Sequence, residues 1–299
     1  MVENLKVDLS HKIKKLEILT KRLVKTALIG NYRGRIKGRG LDFDRFREYT
    51  TSDDASLIDW KVSVRLNKPI IKEFIEERNL DVFLLIDVSS SMVFGSTTKL
   101  KNEYVAELAS ALSYAILNAG DSLGYGFVSD DLFNLILPRN RRSLFYELSR
   151  SLVNPEVYGG NYDIETALSK CLKALRRNSI LIIISDFIGL KGNWRETLKK
   201  AAYKFDVIGI MVRDPRDKEI PENSDMIILA DPFTEKQIIL DPTKKVRQRY
   251  KEFVDQQEKQ ITETFSKSRA SLLNLTTDQS FIVPLISFFK KRQRRKWSK

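Results

Sequence analysis

Two short, almost purely apolar runs constrain this chain more than anything else in it. Residues 80–88 hold Leu80, Val82, Phe83, Leu84, Leu85 and Ile86 and reach Asp87, and residues 180–184 are unbroken Ile and Leu before Ser185-Asp186. Runs of this length without polar alternation read as strands buried on both faces of a parallel sheet. Helical spacing over residues 99–118, 141–152, 164–176 and 194–203 alternates with them, and 207–212 is a further strand. Residues 122–128 and 132–137, separated by Ser129-Asp130-Asp131, read as a hairpin. The alternation predicts an α/β fold: a doubly wound, mostly parallel sheet with helices on both faces and its ligand crevice at the carboxyl ends of the strands.

The flanks differ from this centre. Leu5, Leu9, Ile13, Leu16, Leu19, Leu23 and Ala27 recur at helical spacing, so an amphipathic helix is expected over residues 5–29. Residues 30–40, with four glycines among arginines and lysines, read as a loop. Residues 42–78 are dense in charges and aromatics and are expected to form a small β-rich segment of short strands and turns. In it the β-branched residues 62–64 and 70–71 mark strands, Asp53-Asp54 starts a turn, and Trp60 anchors local packing. Further on, 227–229 and 237–240 are expected as edge strands, 244–268 as a long charged helix, and 281–290 as a terminal helix packed on the fold. The expected organisation is residues 1–79, 80–241 and 242–299, the last a pair of helices with a basic tail.

One cysteine, Cys171, and one histidine, His11, exclude an internal disulfide framework and a Cys/His zinc cluster, so any metal must be held by oxygen. Cys171, spaced with Leu168, Leu172 and Leu175, is expected to be buried and inert, and His11 falls on the polar side of its helix. No apolar run reaches the roughly 18 residues of a membrane span, and no signal pattern opens the chain, so a cytoplasmic protein is expected. The net charge of +13 sits at the ends. Residues 1–40 carry eleven Lys/Arg against three Asp/Glu and residues 287–299 carry seven against none, which leaves the body slightly acidic.

The chemistry lies where the strands end. Asp87, Ser89 and Ser91 spell D-x-S-x-S at the end of the first apolar strand, and Asp186 ends the second. Short oxygen side chains at alternate loop positions suit a hard cation, Mg²⁺ or Mn²⁺. No Walker lysine, nucleophile elbow or Cys/His motif accompanies them, so a binding module is expected, not an enzyme.

This loop resembles the metal-ion-dependent adhesion site of von Willebrand factor A domains. Asp87, Ser89, Ser91 and Asp186 match that pattern, which implies that one aspartate binds through water and that an open position takes a ligand's carboxylate. Where that family has Gly-Gly-Thr, this chain has Gly159-Gly160-Asn161-Tyr162-Asp163. Either Asn161 or Asp163 supplies the remaining ligand, or the site is incomplete. A narrower resemblance rests on Gly40-Leu41-Asp42-Phe43, Phe46-Arg47-Glu48-Tyr49, Ile58-Asp59-Trp60, Phe74-Ile75-Glu76-Glu77-Arg78 and Ser185-Asp186-Phe187. These are similar to the domain of unknown function 58 family. That resemblance implies a divalent-metal-dependent protein–protein interaction module, an accessory partner of a MoxR-type AAA+ ATPase or of its client. The competing expectation is a binder of nucleic acid or anionic membrane through the basic termini.

Overall fold

The computed structural model describes residues 37–50, 53–75, 79–222, 226–234 and 236–297. The expected helix over 5–29, with His11, lies outside them, as does most of the expected loop over 30–40. The described residues form two compact units, one within residues 32–79 and the other from Leu80 onward.

In the smaller unit, strands β1 (Lys37–Glu48) and β2 (Ile70–Ile75) pair antiparallel, so residues 37–40 belong to a strand and not to the expected loop. Between them Trp60–Leu66 is a helix, α1, although Val62 and Val64 suggested a strand. Local capping decides the matter. The Asp59 carboxylate accepts from the Lys61 and Val62 amides, and Asn67 in the left-handed region closes the other end. Trp60 is 68% exposed, contrary to the expectation of a packing anchor. Ser63, which accepts from the Ile70 amide, and the buried Ile70 and Ile71 tie helix to strand instead.

The larger unit is built on six strands: β3 (Asp81–Asp87), β4 (Ser122–Val128), β5 (Leu132–Arg139), β6 (Ile180–Ser185), β7 (Asp206–Arg213) and β10 (Ser271–Thr276). Their spatial order is β10-β7-β6-β3-β4-β5. All neighbours run parallel except the β4–β5 hairpin. Strands β8 (Ile227–Ala230) and β9 (Gln237–Leu240) form a separate hairpin and are not edges of this sheet. The sixth strand, β10, comes instead from beyond residue 241. Sequence reading missed it because Ser271, Asn274 and Thr276 interrupt its apolar residues.

Helices α2 (Lys101–Asn118), α3 (Ser143–Val153), α4 (Ile164–Ala174), α5 (Trp194–Lys204), α6 (Pro215–Lys218), α7 (Lys244–Lys267) and α8 (Ile282–Trp297) complete the unit. Phe83, Leu85, Leu181 and Ile183 meet α4, α5 and α7 through Leu168, Cys171, Leu198, Ala201, Ile261 and Phe265. Leu84, Ile86, Ile182 and Ile184 point to the opposite face by strand alternation and are equally buried. Each such side chain removed from water contributes roughly 1.5–3 kcal/mol. Cys171 is buried with its thiol pushed up to about 12 by that burial, as expected of an inert cysteine. In α8, Phe281 at its entry, Leu285 and Phe289 are buried, with the Phe281 ring edge-on to Tyr104 of α2. Among the described residues no helix is long and apolar enough to cross a membrane.

Candidate metal centre

Strands β3 and β6 are hydrogen-bonded neighbours, with Ile86 opposite Ile184, so their ends deliver Asp87, Ser185 and Asp186 to one crevice. All three are fully buried, as is Ser89, and Ser91 is nearly so. One oxygen of Asp87 accepts from the Ser89 amide at 2.9 Å and the other from the Ser185 hydroxyl at 2.6 Å. Ser185 in turn accepts from the Phe187 amide at 2.8 Å. The Ser89 and Ser91 hydroxyl oxygens face each other at 3.2 Å. Phe187 holds φ 53, a left-handed backbone that costs a non-glycine residue on the order of 1 kcal/mol or more, and strain of this kind concentrates at functional sites. Burial, and then the neighbouring Asp186, push the Asp87 carboxyl up to about 7, against the opposing bonds from Ser185 and Ser89.

Asp186 has a different partner. Its Oδ1 accepts from the Ile188 amide at 2.8 Å, while its Oδ2 receives the Lys101 ammonium at 2.7 Å. The same Nζ donates to Asp217 Oδ2 at 2.9 Å. Lys101 is only 1% exposed. Burial disfavours its charge, yet Asp186 and Asp217 more than offset this and hold its pKa above the ordinary lysine value. Asp217 also accepts from the Asp214 amide, and Asp214 receives the Ser96 amide and hydroxyl together with the Thr277 hydroxyl. The loop before α2 is thereby fastened to the ends of β6, β7 and β10.

The loop carrying Asn161 and Asp163 docks on the same strand end. The Gly159 amide donates to Val88 and the Ser90 amide to the Gly160 carbonyl. Gly160 has φ +79, a backbone conformation strained for a residue with a side chain, and a Cβ there would also push the Asp130 carboxylate aside. The Asn161 backbone and side-chain amides both donate to Asp130 Oδ1, leaving its carbonyl oxygen as the ligand-type atom. Asp163 spends both oxygens on Thr166, capping α4. The residue between them turns inward: Tyr162 is buried, and its hydroxyl lies beside Ser185 and Asp87. Burial and then Asp87 raise its pKa well above the ordinary tyrosine value.

The donor chemistry fits a hard cation. Among the described residues no three His, Cys, Asp or Glu side chains form a group that could hold a metal ion by themselves, so a cation here would need the serine hydroxyls as well. Two oxygens on adjacent vertices of a Mg²⁺ octahedron stand roughly 3 Å apart, close to the observed Ser89–Ser91 spacing. The residues sequence reasoning missed are Lys101, Ser185, Asp217 and Tyr162. Lys101 alone left a trace, since a lysine in the first turn of a helix opposes the helix dipole and needs a reason to be there. The groove between α5 and α7, roughly 410 Å³ and lined by Arg195, Glu196, Lys199 and Gln260 among others, has no buried lining residue and lies apart from this chemistry.

A six-stranded, mostly parallel sheet with one antiparallel edge carries this aspartate–serine loop at its carboxyl end, the place where doubly wound α/β domains bind their ligands. The chain belongs to the DUF58 family: the family model described as "Protein of unknown function DUF58" matches residues 45–260. Uncharacterized protein Rv1480 of Mycobacterium tuberculosis is 27% identical over 285 residues, 94% of this chain and 89% of that one. Among solved structures, the conserved hypothetical protein BatB from Bacteroides thetaiotaomicron is similar over 73% of this chain and 100% of its own, at 16% identity and TM-score 0.47. A von Willebrand factor type A protein from Catenulispora acidiphila is similar over 74% of this chain and 43% of its own, at 8% identity and TM-score 0.42.

Proposed function

We propose that the crevice is a divalent-cation site and that the chain is a protein-binding module, not an enzyme. The observation that carries this reading is the convergence of the buried Asp87 carboxylate with the Ser89 and Ser91 hydroxyls, beside Asp186 on the neighbouring strand. These four residues would hold Mg²⁺ or Mn²⁺. Asn161, whose carbonyl oxygen is uncommitted to Asp130, is a better further ligand than Asp163, whose oxygens cap α4.

With two hydroxyls among its donors and one of the two aspartates bound through water, a bound cation would keep net positive character and offer a position to an acidic side chain of a partner protein. By family resemblance, that partner is a MoxR-type AAA+ ATPase or its client. Ser185 holds Asp87 and the Ile188 amide holds Asp186, so both carboxylates are positioned by the protein's own donors.

Isothermal titration of Mn²⁺ and Mg²⁺ into metal-free protein tests this. Saturable binding that Asp87→Ala abolishes is the expected result. Absence of binding in both proteins would sink the metal reading.

A further inference from the structure

Lys101 is a buried cation in the crevice that the metal reading does not use. An ammonium taken out of water costs several kcal/mol unless carboxylates answer it. Its position in the first turn of α2 adds the unfavourable end of the helix dipole. It is nevertheless buried, with Asp186 Oδ2 at 2.7 Å and Asp217 Oδ2 at 2.9 Å. Asp186 Oδ2 is thus already held by a cation of the protein's own.

We infer that Lys101 is the resident cation of this crevice, and that a divalent ion binds in exchange for the ammonium's bond to Asp186. The inference rests on the metal reading above and concerns how the same site is regulated. A divalent ion and an ammonium on the same carboxylate oxygen repel each other, so one must leave. The ammonium has somewhere to go. Asp217 retains it through its second bond, and the ring of Phe94, 42% exposed on the loop before α2, lies 5.5 Å from Nζ and presents an aromatic face to it. The Lys101 backbone amide also donates to the Phe94 carbonyl at 2.8 Å, so the loop that would receive the ammonium is tied to the residue that carries it. Metal affinity in this chain is therefore set by a competition with its own lysine, and occupancy requires a divalent-ion concentration that wins it.

Mn²⁺ titration of the full chain tests this on wild type, Lys101→Met, Asp217→Asn and the double variant Lys101→Met/Asp87→Ala, with melting temperatures measured with and without MnCl₂. Lys101→Met is expected to bind Mn²⁺ roughly tenfold more tightly than wild type. It is also expected to melt lower in chelator and to recover on adding Mn²⁺, a recovery absent from the double variant. Asp217→Asn, which keeps the lysine but removes its retreat, is expected to bind Mn²⁺ more weakly than wild type, and it decides the matter if Lys101→Met fails to fold. Wild-type affinity in both single variants would overturn the exchange while leaving the metal site standing. No Mn²⁺ binding in wild type or in any variant would overturn both.

Discussion

Ion pairs in the two units of this chain use the same chemistry in opposite surroundings. In the small unit, Arg47 clasps Asp53 with two bonds of 2.7 Å and Lys68 meets Glu48 at 2.8 Å, all at or near the surface. In the larger unit, Lys101 meets Asp186 and Asp217 in a crevice from which solvent is nearly excluded. Exposed pairs give up little hydration and gain little, whereas a buried charge that loses its partner has no water to replace it. The first kind decorates a hairpin. The second kind makes the crevice chemically demanding, and it stands where the strand ends gather Asp87 and Asp186.

Substitutions ranked by burial sharpen this contrast. The largest effect is expected at Lys101: Lys101→Met should cost about 3 kcal/mol or more in metal-free protein, because Asp186 and Asp217 are left without their cation. Urea unfolding in the presence of chelator measures it, and a change no larger than that of a surface pair would erase the distinction between the two units. Ser185→Ala comes next at about 2 kcal/mol, since the hydroxyl both donates to Asp87 and accepts from the Phe187 amide.

A smaller effect of opposite sign is expected for Asp87→Asn. The Asp87 carboxyl titrates higher in the folded protein than in the unfolded chain, so its ionisation erodes stability as pH rises from about 4 towards about 7. Asparagine removes that loss. A rise from about 4 to about 7 is worth roughly 4 kcal/mol at pH 8, and the amide gives up the acceptor of the Ser185 hydroxyl at about 2–3 kcal/mol, so metal-free Asp87→Asn should be more stable than wild type there by about 1–2 kcal/mol and should lose the advantage near pH 4, as pH-dependent melting would show. At the bottom of the ranking, Lys68→Ala should leave the melting temperature within about 1 °C of wild type.

Much of the fold was legible because periodicity reports burial. The runs ending at Asp87 and at Ser185-Asp186 could only be central strands, and the hairpin around Ser129-Asp130-Asp131 stands where the chain spelled it. Errors fell where local chemistry competed with propensity. Val62 and Val64 went helical because Asp59 and Asn67 cap the ends, and β10 escaped notice because polar residues interrupt it. Within the candidate site, Asp87, Ser89, Ser91 and Asp186 were readable from placement alone. Ser185, Asp217 and Tyr162 were not, since nothing local marks them as site residues, and Lys101 left only the trace of a lysine in the first turn of a helix.

The sequence by itself determined the central strands, the side of the sheet that carries the crevice and the oxygen character of its donors, since strand patterning and the short D-x-S-x-S loop are local facts. Tertiary structure alone decided the partners. A lysine 85 residues before Asp186 and 116 before Asp217 reaches both because parallel strand order returns distant segments to one edge of the sheet. The same folding leaves Asp87 among neutral donors and Asp186 against a charge. Which cation a buried carboxylate meets depends on which chain ends the sheet brings together, and no spacing along the sequence records that.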